Sequence, residues 1–168
     1  MNETQIISAI VEHKPGVLYK VSNLFRRRNY NIESISVGAA EIEGTARVTI
    51  TVNENEQKTE QVIKQLNKLV EVIKVSRLDA SNMVAREMAL VKVHIANPSA
   101  RSDIVQYANI FRSRIVDVSP DSMTIEVTGD SSKIDALIEL MKGFGLKEIA
   151  RTGITALARG ARSTKLEE

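Results

Sequence analysis

The chain has 168 residues, of which 43% are hydrophobic and 26% are charged, the composition of a globular protein and not of a disordered one. Its formal net charge of +2 is too small to indicate a polyanionic partner, and the absence of cysteine excludes disulfides, thiol catalysis and thiolate metal sites. The sequence shows neither a signal-peptide hydrophobic segment nor an apolar run of about 20 residues, so we expect a cytoplasmic protein that does not enter a membrane.

The first half of the chain predicts six elements in the order strand, helix, strand, strand, helix, strand. Hydrophobic residues recur at helical spacing after Gly16 and after Glu56, whereas they alternate with polar residues from Thr45 to Val52. The predicted elements are strand Thr4–Val11, helix Gly16–Arg28, strand Ile32–Ala40, strand Thr45–Val52, helix Glu56–Leu69 and strand Val72–Leu78. This βαββαβ order is typical of a ferredoxin-like domain, an antiparallel sheet with two helices on one face.

The second half repeats this order after a segment of mixed polarity, 79–86, which we interpret as a linker. The turn Ser119-Pro120-Asp121-Ser122 predicts a hairpin, and Asp130 or Ser131 predicts a helix N-cap. The predicted elements are strand Ala89–Ala96, helix Arg101–Arg112, strands Ile115–Val118 and Met123–Val127, a helix that ends at Gly143 and Gly145, and strand Leu146–Arg151.

We therefore predict an α+β protein with two ferredoxin-like domains, at 4–78 and 87–158, followed by a flexible, mildly basic tail at 159–168. The run Leu24-Phe25-Arg26 is echoed by Ile110-Phe111-Arg112 at the same point of the element order, which favours two similar halves. Each half holds only about eighty residues, a marginal size for an independent core, so we expect the chain to oligomerise.

A candidate ligand site lies where the first predicted strand meets the first helix. The turn His13-Lys14-Pro15-Gly16 leads directly into the helix, and the first amides of that helix, from Gly16 to Leu18, have no intrahelical acceptors. Because Gly16 has no Cβ and helix N-termini attract anions, a small carboxylate could approach the backbone there. His13 either contacts such a ligand or is a loop residue. Asn31, before the second strand, is either a turn residue or an amide that binds an amino acid.

Residues for catalysis are scarce. The two histidines, His13 and His94, have no local partners that would indicate a metal site or a proton relay, and no Gly-rich phosphate loop is present. The run Arg26-Arg27-Arg28 closes the first helix, where cations complement the helix dipole. RNA binding on such a sheet relies on strand aromatics, which the first and third strands lack. Acylphosphatase-like hydrolysis would need an arginine in the first loop, and there is none.

The first half resembles the ACT domain, a small-molecule sensor found on amino-acid biosynthetic enzymes. The resemblance is carried by Pro15-Gly16-Val17-Leu18, by Leu24-Phe25, and by the run from Arg28 to Ser34. With later stretches it extends over almost the whole chain and is similar to the small, regulatory subunit of acetohydroxyacid synthase (acetolactate synthase). The later stretches are Gln65–Val72, Arg86–Val93, Ile110–Arg112, Ile115–Val118 and Ala150–Gly153.

The resemblance implies a non-catalytic subunit that activates a thiamine-diphosphate-dependent large subunit and confers feedback inhibition by a branched-chain amino acid, with valine the expected effector. It implies a homodimer of ACT domains with the effector bound between the protomers. It also implies that thiamine diphosphate, Mg²⁺ and FAD are bound by the catalytic partner. This chain is expected to bind no metal, nucleic acid or membrane. The implied effector-binding residues are His13, Lys14, Pro15, Gly16, Val17, Leu18, Asn31 and Ile32. The alternative is a stand-alone ACT-type sensor that acts on another biosynthetic enzyme.

Overall fold

The computed structural model describes residues 3–160 of the chain. Of these, residues 3–85 and 154–160 form one compact unit, and Arg86–Gly153 form a second. Each unit contains two helices and an antiparallel path of four strands, and a fifth strand, Thr155–Ala158, pairs with the second of these sheets. The predicted α+β class with two ferredoxin-like folds is confirmed.

The first unit has the predicted βαββαβ order, and its sheet has the strand order β2-β3-β1-β4. Its elements are β1 (Glu3–Glu12), α1 (Val17–Arg27), β2 (Ser34–Ala39), β3 (Thr45–Glu54), α2 (Glu56–Leu66) and β4 (Val72–Leu78). In the register of β1 with β3, Ile7 faces Ile50 and Ala9 faces Val48. These residues share one face of the sheet, because side chains two apart along a strand point the same way.

The helices bury that face. Val21 and Phe25 of α1 and Leu66 of α2 are each no more than 1% exposed, and they pack with the sheet residues in one aliphatic core. Phe25 also meets Tyr30 edge to face, with ring centroids 6.5 Å apart. The other face of the sheet is built differently, since Ser8 and Thr49 are buried there and their register places them opposite each other.

The second unit repeats the arrangement with the strand order β6-β7-β5-β8. Its elements are β5 (Met83–His94, of which residues 83–85 belong to the first unit), α3 (Pro98–Ile110), β6 (Arg114–Val118), β7 (Ser122–Gly129), α4 (Ser131–Lys142) and β8 (Leu146–Arg151). The core is again aliphatic, with Ile104 of α3 and Ile134 and Leu137 of α4 fully buried.

One ion cluster is built into the second unit. The Arg151 guanidinium donates to both oxygens of the buried Glu87 carboxylate, at 2.8 and 2.7 Å, and to Asp135 at 2.7 Å. The Ser131 hydroxyl donates to Glu87 as well, at 3.2 Å. The hydrogen bond from Arg151 to Glu87 raises the pKa of the Arg151 guanidinium, which stays charged and links β5, β8 and α4.

The predicted domain ranges differ from the observed units at two points. The segment 79–86, predicted to be a linker, contains a 3₁₀ turn at Ala80–Asn82 and the start of β5 at Met83. Residues 154–158, assigned by prediction to the second domain, contain a further strand, β9 (Thr155–Ala158), and belong to the first unit. Most of the predicted tail, 161–168, lies outside the described residues.

The sequence echo between the halves is out of register with the structure. The Tyr30 amide donates to Phe25 O in the first unit, and the Ser113 amide donates to Ala108 O in the second. The equivalent of Phe25 is therefore Ala108 and not Phe111. Asn29, with φ 56°, likewise corresponds to the other left-handed residue at a helix end, Arg112, with φ 50°.

Candidate functional site

The loop between β1 and α1 is held by its backbone on both sides. The Glu12 amide donates to Glu71 O at 2.8 Å, and the His13 amide donates to Gly44 O at 2.8 Å. The amide of His13 is thus occupied within the chain, while its side chain is exposed. Lys14 and Pro15 are exposed as well. The predicted loop residues therefore form an exposed turn, and the amides of Glu12 and His13 hold the backbone at its start.

Gly16 is the N-cap residue of α1 and has φ 86° and ψ −11°, a left-handed conformation that L side chains rarely adopt. A Cβ built on Gly16 would meet no atom within 4 Å, so the space beside it is open. The Val17 amide donates to Lys14 O at a long 3.4 Å, and the amides of Gly16 and Leu18 have no acceptor among the described residues. The start of α1 therefore has unsatisfied backbone donors next to an open space, and donors of this kind at a helix N-terminus attract anions.

In this respect α1 differs from the other helices of the described chain. A side-chain oxygen caps each of those helices by accepting a third-residue amide: Asn55 accepts from Lys58 N at 2.9 Å, Asn97 from Ala100 N at 2.8 Å, and Asp130 from Lys133 N at 2.9 Å. No side chain caps α1. The second unit thus closes its equivalent helix start with Asn97, while the first unit leaves its helix start open.

A small apolar recess adjoins Gly16, with a volume of about 60 Å³. Its lining residues are Val11, Glu12, His13, Lys14, Val17, Leu18, Val21, Val37, Ala46 and Val48. Since a single water needs about 10–15 Å³ of such volume, the recess takes roughly four to six water-sized groups, fewer than the non-hydrogen atoms of a branched-chain amino acid. Within one chain it can hold an aliphatic side chain, and the rest of a ligand would remain outside it.

Two lining residues, Leu18 and Val37, are each 47% exposed although both are large and aliphatic. The prediction included Leu18 but missed Val37, together with the floor formed by Ala46 and Val48. The strand alternation could have indicated that floor, because Ala46 and Val48 fall on the helix-facing side of β3. No local signal connects Val37 to the loop.

The charged groups around the recess are paired. Lys14 Nζ lies 3.0 Å from a Glu12 oxygen, and the Lys20 ammonium donates to the Glu71 carboxylate. The bond from Lys20 lowers the pKa of the Glu71 carboxyl, so Glu71 remains ionised near neutral pH. Among the described residues around the recess, no nucleophile is paired with a base.

Asn31 and Ile32 lie at the opposite end of α1 from Gly16. The helix has 11 residues and so separates the two ends by about 16 Å. Asn31 is exposed, and its amide nitrogen donates to Glu33 at 2.9 Å, while Ile32 is half-buried against the core. Both line an open groove of about 620 Å³ with Ser22, Phe25, Arg26, Asn29 and Tyr30. The structure therefore does not bring the two parts of the predicted site together within one chain.

The other histidine, His94, belongs to the second unit. The His94 ring is exposed, and its Nδ1 lies 3.0 Å from Asp121 O. Residues 3–160 contain no group of three or more histidine, aspartate or glutamate side chains that could hold a metal ion. Within the same residues, no helix has the length and apolar character needed to cross a membrane.

Comparison with known proteins defines the class first. Residues 7–74 match the acetohydroxyacid synthase small subunit-like ACT domain, and residues 86–160 match the domain described as the small subunit of acetolactate synthase. The first unit therefore contains an ACT-type domain, and the second match covers the whole of the second unit.

Whole-chain relatives identify that family. The chain is 58% identical over 161 residues to a probable acetolactate synthase small subunit of Methanothermobacter thermautotrophicus, and this match covers 96% of each chain. It is 49% identical to the acetolactate synthase small subunit of Bacillus subtilis over 94% of this chain and 92% of the relative. The crystal structure of the acetolactate synthase small subunit of Thermotoga maritima superposes with a TM-score of 0.89 at 44% identity, over 95% of this chain and 99% of that one. The chain belongs to the acetolactate synthase small-subunit family.

Proposed function

We propose that this chain is a non-catalytic regulatory subunit that activates a thiamine-diphosphate-dependent acetolactate synthase catalytic subunit and confers feedback inhibition by valine. The chain then acts in valine, leucine and isoleucine biosynthesis. In this proposal thiamine diphosphate, Mg²⁺ and FAD are bound by the catalytic subunit, and the only small ligand of this chain is the amino-acid effector. Support comes from the small subunits named among its relatives and from the open binding site in its ACT-type domain.

The single observation that carries the proposal is the uncapped start of α1. Gly16 holds a left-handed conformation with open space beside it, and the amides of Gly16 and Leu18 have no acceptor among the described residues. In the proposed complex the effector carboxylate accepts hydrogen bonds from these amides, as the side-chain oxygen of Asn97 does at the start of α3. The helix dipole adds to the attraction for a negative group.

The branched side chain of valine would occupy the adjoining recess beside Leu18 and Val37. Both side chains are half exposed, and covering them with an aliphatic ligand contributes about 25 cal/mol per Å² of apolar surface removed from water. The effector ammonium would donate to the carbonyls of the His13–Lys14 turn, of which that of Lys14 also accepts the long bond from the Val17 amide.

The recess of one chain is too small to enclose the whole effector, so the proposal requires a second copy of the chain. Strand β2 can pair with the same strand of a second copy, because it pairs with β3 on one side only and forms an edge of the sheet. In a two-fold antiparallel pairing of β2 strands, the start of one strand approaches the end of the other. Asn31 and Ile32 of the second copy would then approach Val37 and complete the site.

A site shared between protomers couples binding to assembly. Valine binds more tightly to the dimer arrangement in which the two halves of the site meet than to any other arrangement. A ligand shifts an equilibrium only through such differential affinity. A coupling of about 1–3 kcal/mol would change the activity of the catalytic subunit by a measurable factor.

The direct test uses the purified cognate catalytic subunit, assayed for acetolactate formation with and without this chain, and each with and without valine. We expect the chain to raise the activity and valine to lower it only when the chain is present. If the chain changes neither the activity nor the response to valine, the proposal is wrong. Recovery of a different biosynthetic enzyme when the chain is used to capture partners from its native lysate would instead support a stand-alone sensor.

A further inference from the structure

The segment 154–158, which we call the C-terminal strap, returns from the second unit to the ACT-type unit. Ala156 is 3% exposed and packs with Ile6 and Leu78 on the sheet face that α1 and α2 leave uncovered. Beyond the strap, the Arg159 amide donates to Asn82 O at 3.0 Å. This end of the strap is therefore fixed to the segment that follows β4.

The other end of the strap is joined to β2 by one hydroxyl group. The Ile154 amide donates to Ser34 Oγ at 3.4 Å, and the Ser34 hydroxyl in turn donates to Thr51 Oγ1 at 3.0 Å. Ser34 is the first residue of β2 and follows the segment with Asn31 and Ile32 by two positions. The strap thus contacts the start of the strand that carries the second half of the proposed effector site.

The strap pairs with β5 through strand β9 but buries little apolar surface. Ala156 is its one fully buried side chain, whereas Thr155 is exposed and Leu157 is 55% exposed. Segments with little buried apolar surface open locally at a small free-energy cost, so the strap has the stability expected of an element that a ligand can attach or release.

We propose that the C-terminal strap reports effector occupancy of the ACT-type unit, and that the Ser34 hydroxyl is the positioning group that couples the two. This inference rests on the proposed function. When the effector holds Asn31 and Ile32, the start of β2 becomes fixed, the Ser34 hydroxyl stays in place for the Ile154 amide, and the attached state of the strap is favoured. The strap then has two states, attached and released, and the effector shifts the equilibrium toward the attached one. Coupling between two sites requires an element of this kind.

The test measures hydrogen exchange of the strap amides, residues 155–158, in the full chain with and without saturating valine. The variant is Ser34→Ala, and the matched control is Ser36→Ala, because Ser36 lies on the same strand and the same sheet face, opposite Thr49, and is half-buried like Ser34. Valine binding is followed in the same samples by thermal shift.

We expect valine to slow strap exchange at least about fivefold in the wild type and in Ser36→Ala, and by less than about twofold in Ser34→Ala, although all three bind valine. Ser34→Thr, which keeps a hydroxyl, should restore the effect.

If Ser34 had a purely structural role, Ser34→Ala would speed strap exchange by the same factor with and without valine. The ratio of the two exchange rates would then equal that of the wild type, which would overturn the inference. An unchanged strap in a wild type that binds valine would also overturn it while leaving the proposed function intact. Absence of valine binding to the wild type would overturn both.

Discussion

Substitution of Gly16 by aspartate should abolish valine binding while leaving the chain folded. The open space beside Gly16 accommodates a side chain, but the φ of 86° is left-handed and costs an L residue about 1–2 kcal/mol. The new carboxylate would lie next to the amides that the effector carboxylate needs, so it both occupies the donors and repels the ligand.

The size of the effect follows from linkage. Valine at 100 times its Kd should stabilise the wild type by about 2.7 kcal/mol, which for a chain of this length raises Tm by roughly 5–11 °C. In Gly16→Asp the same valine concentration should leave Tm unchanged. The assay is a thermal-shift series with valine, leucine and isoleucine.

The matched control for Gly16→Asp is Gly145→Asp in the second unit. Gly145 also has a left-handed φ, 92°, and its Cβ would meet only an ordinary contact with His94 at 3.7 Å. The control should lose stability by a similar amount and keep the full valine response. An undiminished valine shift in folded Gly16→Asp would refute the assignment of the effector carboxylate to the start of α1.

Three further predictions concern stability. Phe25→Ala should lower the free energy of unfolding by about 3–5 kcal/mol in urea titrations, because Phe25 is 1% exposed, and a loss below 1 kcal/mol would contradict the core assignment. Glu87→Gln should cost about 2 kcal/mol by leaving Arg151 without its buried partner, whereas Glu139→Gln, which removes an exposed pair, should cost less than about 0.5 kcal/mol. The hydrogen bond from the Lys133 amide lowers the pKa of the Asp130 carboxyl below its ordinary 3.8, so its stabilisation is present above that pH and is lost as the pH falls through the lowered value. Asp130→Asn keeps a capping oxygen, so its acid unfolding profile should be less steep than that of the wild type, and identical profiles would contradict this role.

Local sequence patterns predicted most of the fold. The strands Val72–Leu78 and Leu146–Arg151 have the predicted ends, and Asp130 caps its helix as its residue type indicates. These elements have a clear hydrophobic period or a turn signal at their boundaries, so nearby residues suffice to define them.

The strand β9 was missed because its signal is long-range. Its four residues, Thr155–Ala158, lie between Gly153 and Gly160, and its buried side chain is only an alanine. It is a strand because it pairs with β5, and its alanine packs with Ile6 and Leu78, which are far away in the chain. The bond between Glu87 and Arg151 escaped prediction for the same reason, since the two residues are 64 positions apart.

The candidate site was predictable in part. Pro15-Gly16 before an amphipathic helix indicated free amides at the start of α1, and the structure has them. The sequence could not show that α1 itself holds Asn31 far from Gly16, because that distance depends on how long the helix runs and where β2 begins. Whether Val37 lines the recess depends on the pairing of β2 with β3, which is again a property of the folded sheet.

The return of residues 154–160 to the first unit has a consequence for biosynthesis of the chain. The amino-terminal unit is discontinuous, and its last part follows residue 85 by about 75 positions (160 − 85). At translation rates of about 5–20 residues per second, the ribosome needs roughly 4–15 s to make that interval. During this time Ile6 and Leu78 lack their contact with Ala156, so the first unit can be completed only after the second unit has been synthesised.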